Sequence, residues 1–326
     1  MILTRTPLRI SIGGGGTDLP SYYRRSGGTV ISAAIDKYVY LSVNATFTQD
    51  YLLKYAELER VERIEDIDHG LIREVLAEYA ISPGIEIVSV ADIPAGTGLG
   101  SSGAFTVGLL LALHAFQHRQ VSSRALAEAA CHIEIERLGD PVGKQDQYIA
   151  SYGGLTRFEF RPDDSVGVET LATSSRTLEV LEDHLLLFFT GYSRRATSIL
   201  ADQKDKSEHA DAEMLANLDH VAELGDRIGT ALEQGRTEEF AELMHEHWVN
   251  KRQRTRGITS DEIDHWYDLA RRHGALGGKL VGAGAGGFLL FYASDPAQLR
   301  QAMATAGLPE VRFGFDYDGA VVMARS

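Results

Sequence analysis

The chain has 326 residues, with 32 Lys and Arg against 46 Asp and Glu, a formal net charge of −14. That balance excludes an electrostatic footprint for nucleic acid or an anionic membrane, so any anionic small molecule must be met by local positive groups. The single cysteine, Cys131, excludes an internal disulfide and a cysteine-cluster metal site. The longest apolar stretch, from Val107 to Phe116, is broken by Gly108 and His114 and falls far short of a membrane span. With no basic-then-apolar leader at the N-terminus, the expectation is a soluble cytoplasmic protein that binds neither nucleic acid nor membrane.

Taken in order, Lys37 to Asn44 and Gly84 to Val90 alternate polar and apolar residues and are rich in β-formers, which predicts strands. A glycine-rich turn, Pro94 to Gly100, leads into an apolar helix from Ser101 to His118. A second helix is predicted from about Ser123 to Leu138, capped by Ser122 or Ser123 and stopped by Gly139 and Pro141. A short helix starts at Asp146 and ends at Gly153, and Leu155 to Phe160 reads as a strand. The polar stretch Arg161 to Ser175 sets a domain boundary, giving domains 1–172 and 173–326. Beyond it come a buried strand from His184 to Thr190, helices to about His273, a glycine-rich loop from Gly282 to Gly287 and a strand from Phe288 to Ala293. A helix and a last strand, Val311 to Phe315, follow. This order favours an α+β fold.

Three glycine-rich segments carry the chemistry. In Pro94-Ala-Gly-Thr-Gly-Leu-Gly-Ser-Ser-Gly-Ala104, Gly96, Gly98 and Gly100 let backbone N–H groups approach an anion. Ser101 and Ser102 then open a helix, whose N-terminus is itself an anion site. The segment has no lysine, so it is not the G-x-x-x-x-G-K-[ST] loop. In Thr6-Pro-Leu-Arg-Ile-Ser-Ile-Gly-Gly-Gly-Gly-Thr-Asp18, Arg9 and Asp18 bracket four glycines. The third segment is Lys279-Leu-Val-Gly-Ala-Gly-Ala-Gly-Gly-Phe288.

Together and in this order the three resemble the motifs of the GHMP kinase family, the galactokinase, homoserine kinase, mevalonate kinase and phosphomevalonate kinase group. Pro7, Arg9, Thr17 and Asp18 fall on fixed positions of the first motif. Pro94 to Gly103 matches P-x-x-x-G-L-G-S-S-A except for Gly103. Lys279 to Gly287 matches K-L-T-G-A-G-G-G-G except for Val281 and Ala285. Within the family, the segments Leu8 to Tyr23, Ile133 to Arg137, Gly143 to Tyr148 and Thr190 to Arg194 are similar to those of D-glycero-D-manno-heptose 7-phosphate kinases.

The resemblance implies two α+β domains with the active site in the cleft between them, and a left-handed β-α-β crossover against the usual right-handed rule. It implies ATP and Mg²⁺ as cofactors and phosphoryl transfer to a sugar hydroxyl, the anomeric one of heptose 7-phosphate. Asp146, in a Gln145-Asp-Gln sequence that resembles the family's M-D-Q, is then the catalytic base, with Arg9 as its cation. ATP falls to Pro94, Gly96, Gly98, Leu99, Gly100, Ser101, Ser102 and Gly103. Ser102 and Glu136 are expected to hold the metal, with Glu134 as the substitute. Substrate contacts are expected from Gly15, Gly16, Thr17, Asp18, Lys144, Arg194, Gly284, Ala285 and Gly286.

For the substrate's own phosphate the basic candidates are Lys144, Arg194, Arg195, Lys251 and Arg252. The histidines 245, 247, 265 and 273 lack metal-site spacing and are read as structural. Competing readings are a kinase for a neutral sugar such as fucose or galactose, and a non-catalytic sensor of sugar and ATP.

Overall fold

The computed structural model describes residues 1–191, 196–209, 211–255 and 257–325. The first part comprises β1 (Ile2–Gly13), α1 (Pro20–Ser26), β2 (Gly28–Ala45), β3 (Tyr51–Lys54), β4 (Leu58–Val61), α2 (Gly70–Glu78) and β5 (Ile85–Ala91). Next come α3 (Ser101–Phe116), α4 (Ser123–Cys131), a π-helical turn His132–Arg137, α5 (Gln145–Tyr152), β6 (Leu155–Phe160) and β7 (Val166–Thr170). The remainder is α6 (Ser175–His184), β8 (Leu185–Gly191), α7 (Ala196–Glu208), α8 (Ala212–Glu233), α9 (Thr237–Arg254), α10 (Asp261–Arg272), β9 (Ala275–Leu280), β10 (Gly287–Ala293), α11 (Pro296–Thr305), β11 (Glu310–Val311) and β12 (Val321–Arg325).

The larger sheet runs β12-β1-β2-β5-β3-β4, with β6 and β7 branching from β2. Among the described residues only β3 and β5 pair in parallel. From Thr6 onward every residue of β1 is buried. A strand covered on both faces needs apolar or paired residues throughout, and β1 is packed by α3 and α5 as well as by α8 and α9. Its outer edge pairs with β12 only from Ile2 to Arg5. Beyond that, the Arg9 N–H donates to the Leu99 carbonyl at 3.0 Å, so the loop before α3 takes over the edge.

Helix α3 is apolar on nearly all sides because it lies inside the molecule. Gly108 permits its closest approach to β1: a Cβ there would stand 2.6 Å from Thr6 Oγ1. The predicted helix 123–138 changes character on the way. Its α-helical part is capped by Ser122, and residues 132–137 widen into the π turn.

The second sheet, β11-β8-β10-β9, is antiparallel. Its β8 reads as expected, with Leu185 to Phe188 all buried. The predicted last strand shrinks to Glu310–Val311, and β12 crosses back to the first sheet. The main apolar core is continuous across both parts, with Leu224, Ile228 and Phe240 joining Leu8 and Ile12.

Helix α9 lies directly on β9 because Gly277 has no side chain; a Cβ there would sit 1.7 Å from the Ala241 carbonyl oxygen. No rotamer relieves a clash with backbone. Gly277→Ala is therefore expected to lower stability by at least about 2 kcal/mol, read as the shift of the urea unfolding midpoint.

Candidate active site

The three glycine-rich segments meet backbone to backbone. A Cβ on Gly98 would lie 2.7 Å from the Val281 carbonyl oxygen, one on Gly282 2.6 Å from Gly98 Cα, and one on Gly287 2.2 Å from the Thr97 carbonyl oxygen. Gly98 and Gly100 also take left-handed φ values of 85° and 76°. Within the loop, Pro94 and Gly96 are exposed, while the Leu99 side chain is fully buried in the core, leaving only its backbone to the loop. Ser101, Ser102 and Gly103 open α3, so its unpaired N–H groups and positive end face outward there.

Arg9 reaches under this loop from β1. It donates from Nε and Nη2 to Asp146 Oδ1 and Oδ2 at 2.7 and 3.0 Å, and from Nη1 to the Gly98 carbonyl at 2.6 Å. The fork fixes the carboxylate in a plane, a geometry Lys could not impose. Asp146 sits in the first turn of α5, where an anion is favoured. The Arg9 side chain is 8% exposed and that of Asp146 28%, so the carboxylate is the member of the pair that meets solvent. Gly103, where the GHMP pattern has alanine, has a local reason: a Cβ would approach Asp146 Cβ to 2.8 Å.

The expected Ser102–Glu136 pair is not formed. Ser102 Oγ donates to Glu134 Oε2 at 2.5 Å, and Gln147 Nε2 donates to Glu134 Oε1 at 3.0 Å. Glu136, its side chain 65% exposed, bonds His132 at 2.8 Å. Residues two apart on a helix point to opposite sides, so only one of the two glutamates can face α3, and the phase of the π turn selects Glu134. Glu134 is 1% exposed, and among the described residues no cation pairs with it. Burial therefore raises its carboxyl to about 7, with Asp146 adding to the rise and the Ser102 and Gln147 hydrogen bonds opposing it. A hydroxyl beside a buried carboxylate short of positive charge suits a hard divalent cation that takes its other ligands from water and phosphate. Among the described residues no group of three or more His, Cys, Asp or Glu could hold a metal without such help.

Beside Asp146 opens a cavity of about 110 Å³. Asp18 forms part of its wall, accepting from Gly16 N through Oδ1 and from Gln145 N through Oδ2, both at 3.1 Å. Burial first, and then Asp146, raises the Asp18 carboxyl above its usual range. Gly15 and Gly16 line the cavity as expected. Other expected residues do not. Thr17 is fully buried, its hydroxyl donating to the carbonyls of Gly14 and Thr29, because the turn after β1 needs it there. Lys144 points away, donating to the Asp164 carbonyl at 3.0 Å with its ammonium over the Tyr23 ring. Gly282 and Ala283, rather than Gly284, Ala285 and Gly286, reach the cavity; the latter stretch is held by the Ile258 carbonyl through Ala285 N. Arg252 is drawn off by Asp264, and Arg194 and Arg195 lie outside the described residues.

In their place stand basic side chains that sequence reading missed or left unranked. His247, Lys251 and Arg254 line the cavity from α9, and Lys279 from β9. Lys251 donates to the carbonyls of Leu280 and Gly282. Burial, then repulsion from Arg254 and Arg9, brings it down to about 7, and burial takes Arg254 down to about 10. Lys279 and His247 are pushed well below their usual values, again by burial first. Positions 247, 251 and 254 follow the i, i+4, i+7 stride of one helix face, the signal that could have found them.

Comparison with known proteins places the chain among sugar kinases of one family. The GHMP kinases N terminal domain matches residues 67–154 and the GHMP kinases C terminal domain residues 230–308. The D-glycero-alpha-D-manno-heptose 7-phosphate kinase of Campylobacter jejuni is 29% identical over 309 residues, 91% of this chain and 90% of that protein. A galactokinase of Thermotoga maritima is 25% identical, covering 96% of this chain and 95% of its own. The crystal structure of a D-glycero-D-manno-heptose 1-phosphate kinase from Bacteroides thetaiotaomicron superposes over the whole of both chains with a TM-score of 0.80 at 24% identity, a likeness of fold. The chain belongs to the GHMP kinase family.

The Glu134 carboxyl has a consequence for stability. Its value is raised from 4.5 to about 7, so the protonated form contributes stability that is full below the lower value and lost as pH rises through the upper one. Without metal, Glu134→Gln should melt roughly 5 °C above the wild type at about pH 8.5 and together with it at about pH 4. Thermal melts in chelator at the two pH values check this.

Proposed function

We propose that this ATP-dependent sugar kinase phosphorylates the anomeric hydroxyl of a heptose that already carries a phosphate, D-glycero-D-manno-heptose 7-phosphate. The observation that carries the reading is the Arg9–Asp146 pair, set between the open N-terminus of α3 and a cavity rich in buried cations. Phosphoryl transfer asks for positioning, charge neutralisation and a place for the hydroxyl proton. Asp146 takes that proton. Arg9 holds Asp146 in line and faces charge that develops on the transferred group.

The segment Pro94 to Gly103 wraps the nucleotide phosphates with its backbone N–H groups, and Ser102 with Glu134 holds Mg²⁺. Mg²⁺, when bound, neutralises the phosphate oxygens. Asp18 orients the sugar: each of its oxygens accepts one backbone N–H and keeps a lone pair for a hydroxyl. The cations of the cavity favour an anionic acceptor over a neutral sugar, and an intact, solvent-meeting Asp146 favours a catalyst over a sensor. We place the enzyme in the cytoplasm, where ATP is available. Among the described residues no helix is long and apolar enough to cross a membrane.

Asp146→Asn should keep ATP binding and lose turnover by about 100- to 10,000-fold. Turnover above about a third of wild type would remove Asp146 from the base role. Glu134→Gln should raise the Mg²⁺ concentration needed for half-maximal rate, whereas Glu136→Gln should leave it unchanged. The reverse result would return the metal to Glu136.

A further inference from the structure

Three residues that line the cavity beside Asp146 each carry a buried polar atom with no hydrogen-bond partner: Arg254 Nη2, His247 Nε2 and Ser11 Oγ. These residues are 7%, 1% and 6% exposed. Unmet buried donors are rare and unfavourable, and three on residues around one small space form a site built for something absent from the protein itself. We propose that these three groups, with Lys251 and Lys279 behind them, form the subsite that grips the phosphomonoester already present on the sugar acceptor. The assignment rests on the phosphosugar reading above and names the residues that would enforce it.

The guanidinium is placed deliberately. Arg254 donates from Nε to Asn217 Oδ1 at 2.9 Å and from Nη1 to the Gly15 carbonyl at 3.3 Å, which leaves Nη2 without a partner. Gly16 makes room for it: a Cβ there would fall 2.5 Å from Arg254 Nη1. His247 Nδ1 lies 3.3 Å from Lys279 Nζ. An ammonium that donates to Nδ1 leaves Nε2 as the protonated, donating nitrogen, the form an anion needs.

The subsite shares its cavity with the Arg9–Asp146 pair but is anchored by different partners. Arg9 is committed to Asp146 and Gly98, whereas Arg254 is anchored to Gly15 and Asn217. Asp18 links the two, since its oxygens accept from Gly16, beside Arg254, and from Gln145, beside Asp146. A sugar with its hydroxyls on Asp18 therefore presents one end to the base and its phosphate to Arg254. The net charge of −14 makes such a local cation cluster necessary for any dianionic acceptor.

The test compares D-glycero-D-manno-heptose 7-phosphate with the unphosphorylated heptose on wild type, Arg254→Gln and Ser11→Ala. Arg254→Gln should raise KM for the phosphorylated sugar roughly 10- to 150-fold, with a much smaller loss on the unphosphorylated sugar and KM for ATP within about threefold. Ser11→Ala, which removes an oxygen without a partner and so spares the fold, should raise the same KM roughly 2- to 10-fold. An equal loss of kcat on both sugars would overturn the assignment, because the cluster would then serve the transferred group. So would an unchanged KM in both variants. Calorimetric titration of the phosphorylated sugar without nucleotide separates this inference from the proposed function. Wild-type binding that depends on Arg254 without turnover would keep the subsite and sink the kinase substrate; turnover with Arg254-independent binding would do the opposite.

Discussion

The bidentate contact between Arg9 and Asp146 is the constraint around which the rest of the molecule is arranged. It joins a buried strand near one edge of the larger sheet to the first turn of a helix 137 residues further along the chain. For the pair to close, the loop before α3 must pass over it with no side chain at Gly98 or Gly100, and α3 must approach α5 with none at Gly103. Arg9 also donates to the Gly98 carbonyl, so one guanidinium orients a carboxylate and ties down the glycine-rich loop together. Such a pair is worth little as a source of stability, since both groups leave water to form it. Its value lies in fixing where a charge stands.

The cavity beside it reverses the sign of the molecule. A chain with an excess of acidic residues gathers Arg9, His247, Lys251, Arg254 and Lys279 around one small space. Burial first, and then repulsion from neighbouring positive groups, lowers the affinity of His247, Lys251 and Lys279 for protons, Lys251 to about 7. That strain in charge is relieved by an incoming anion, which makes the empty protein the costly state and the complex the settled one.

Much of this was legible in the sequence. The glycine segments could be read because backbone contact at 2 to 3 Å tolerates no other residue, and that demand leaves a mark at each position. Asp146 and Arg9 stood within recognisable motifs. Other features depended on facts a linear reading does not hold. Whether Glu134 or Glu136 faces α3 is set by a π turn, one residue's worth of helical phase. Lys144 stands next to Gln145 in sequence, yet the start of α5 turns it toward Asp164. The buried cations come from α9 and β9, brought to Ser11 and Gly16 only by packing across both parts of the fold. Thr17 sat in a motif and proved to serve the turn that presents Asp18.

The return of β12 to β1 bears on how the protein is made. β1 carries Arg9 and is made before every other element described here, but the strand that covers its outer edge at Ile2 to Arg5 is made after all of them. During synthesis that edge is an open template for pairing with another chain. Val322 and Met323 remain largely exposed even in the finished fold, so the closing strand is held by its backbone ladder more than by burial. Nascent chains therefore pass through a long interval in which β1 is shielded on one edge by β2 and bare on the other, and their fate in that interval depends on how soon β12 arrives.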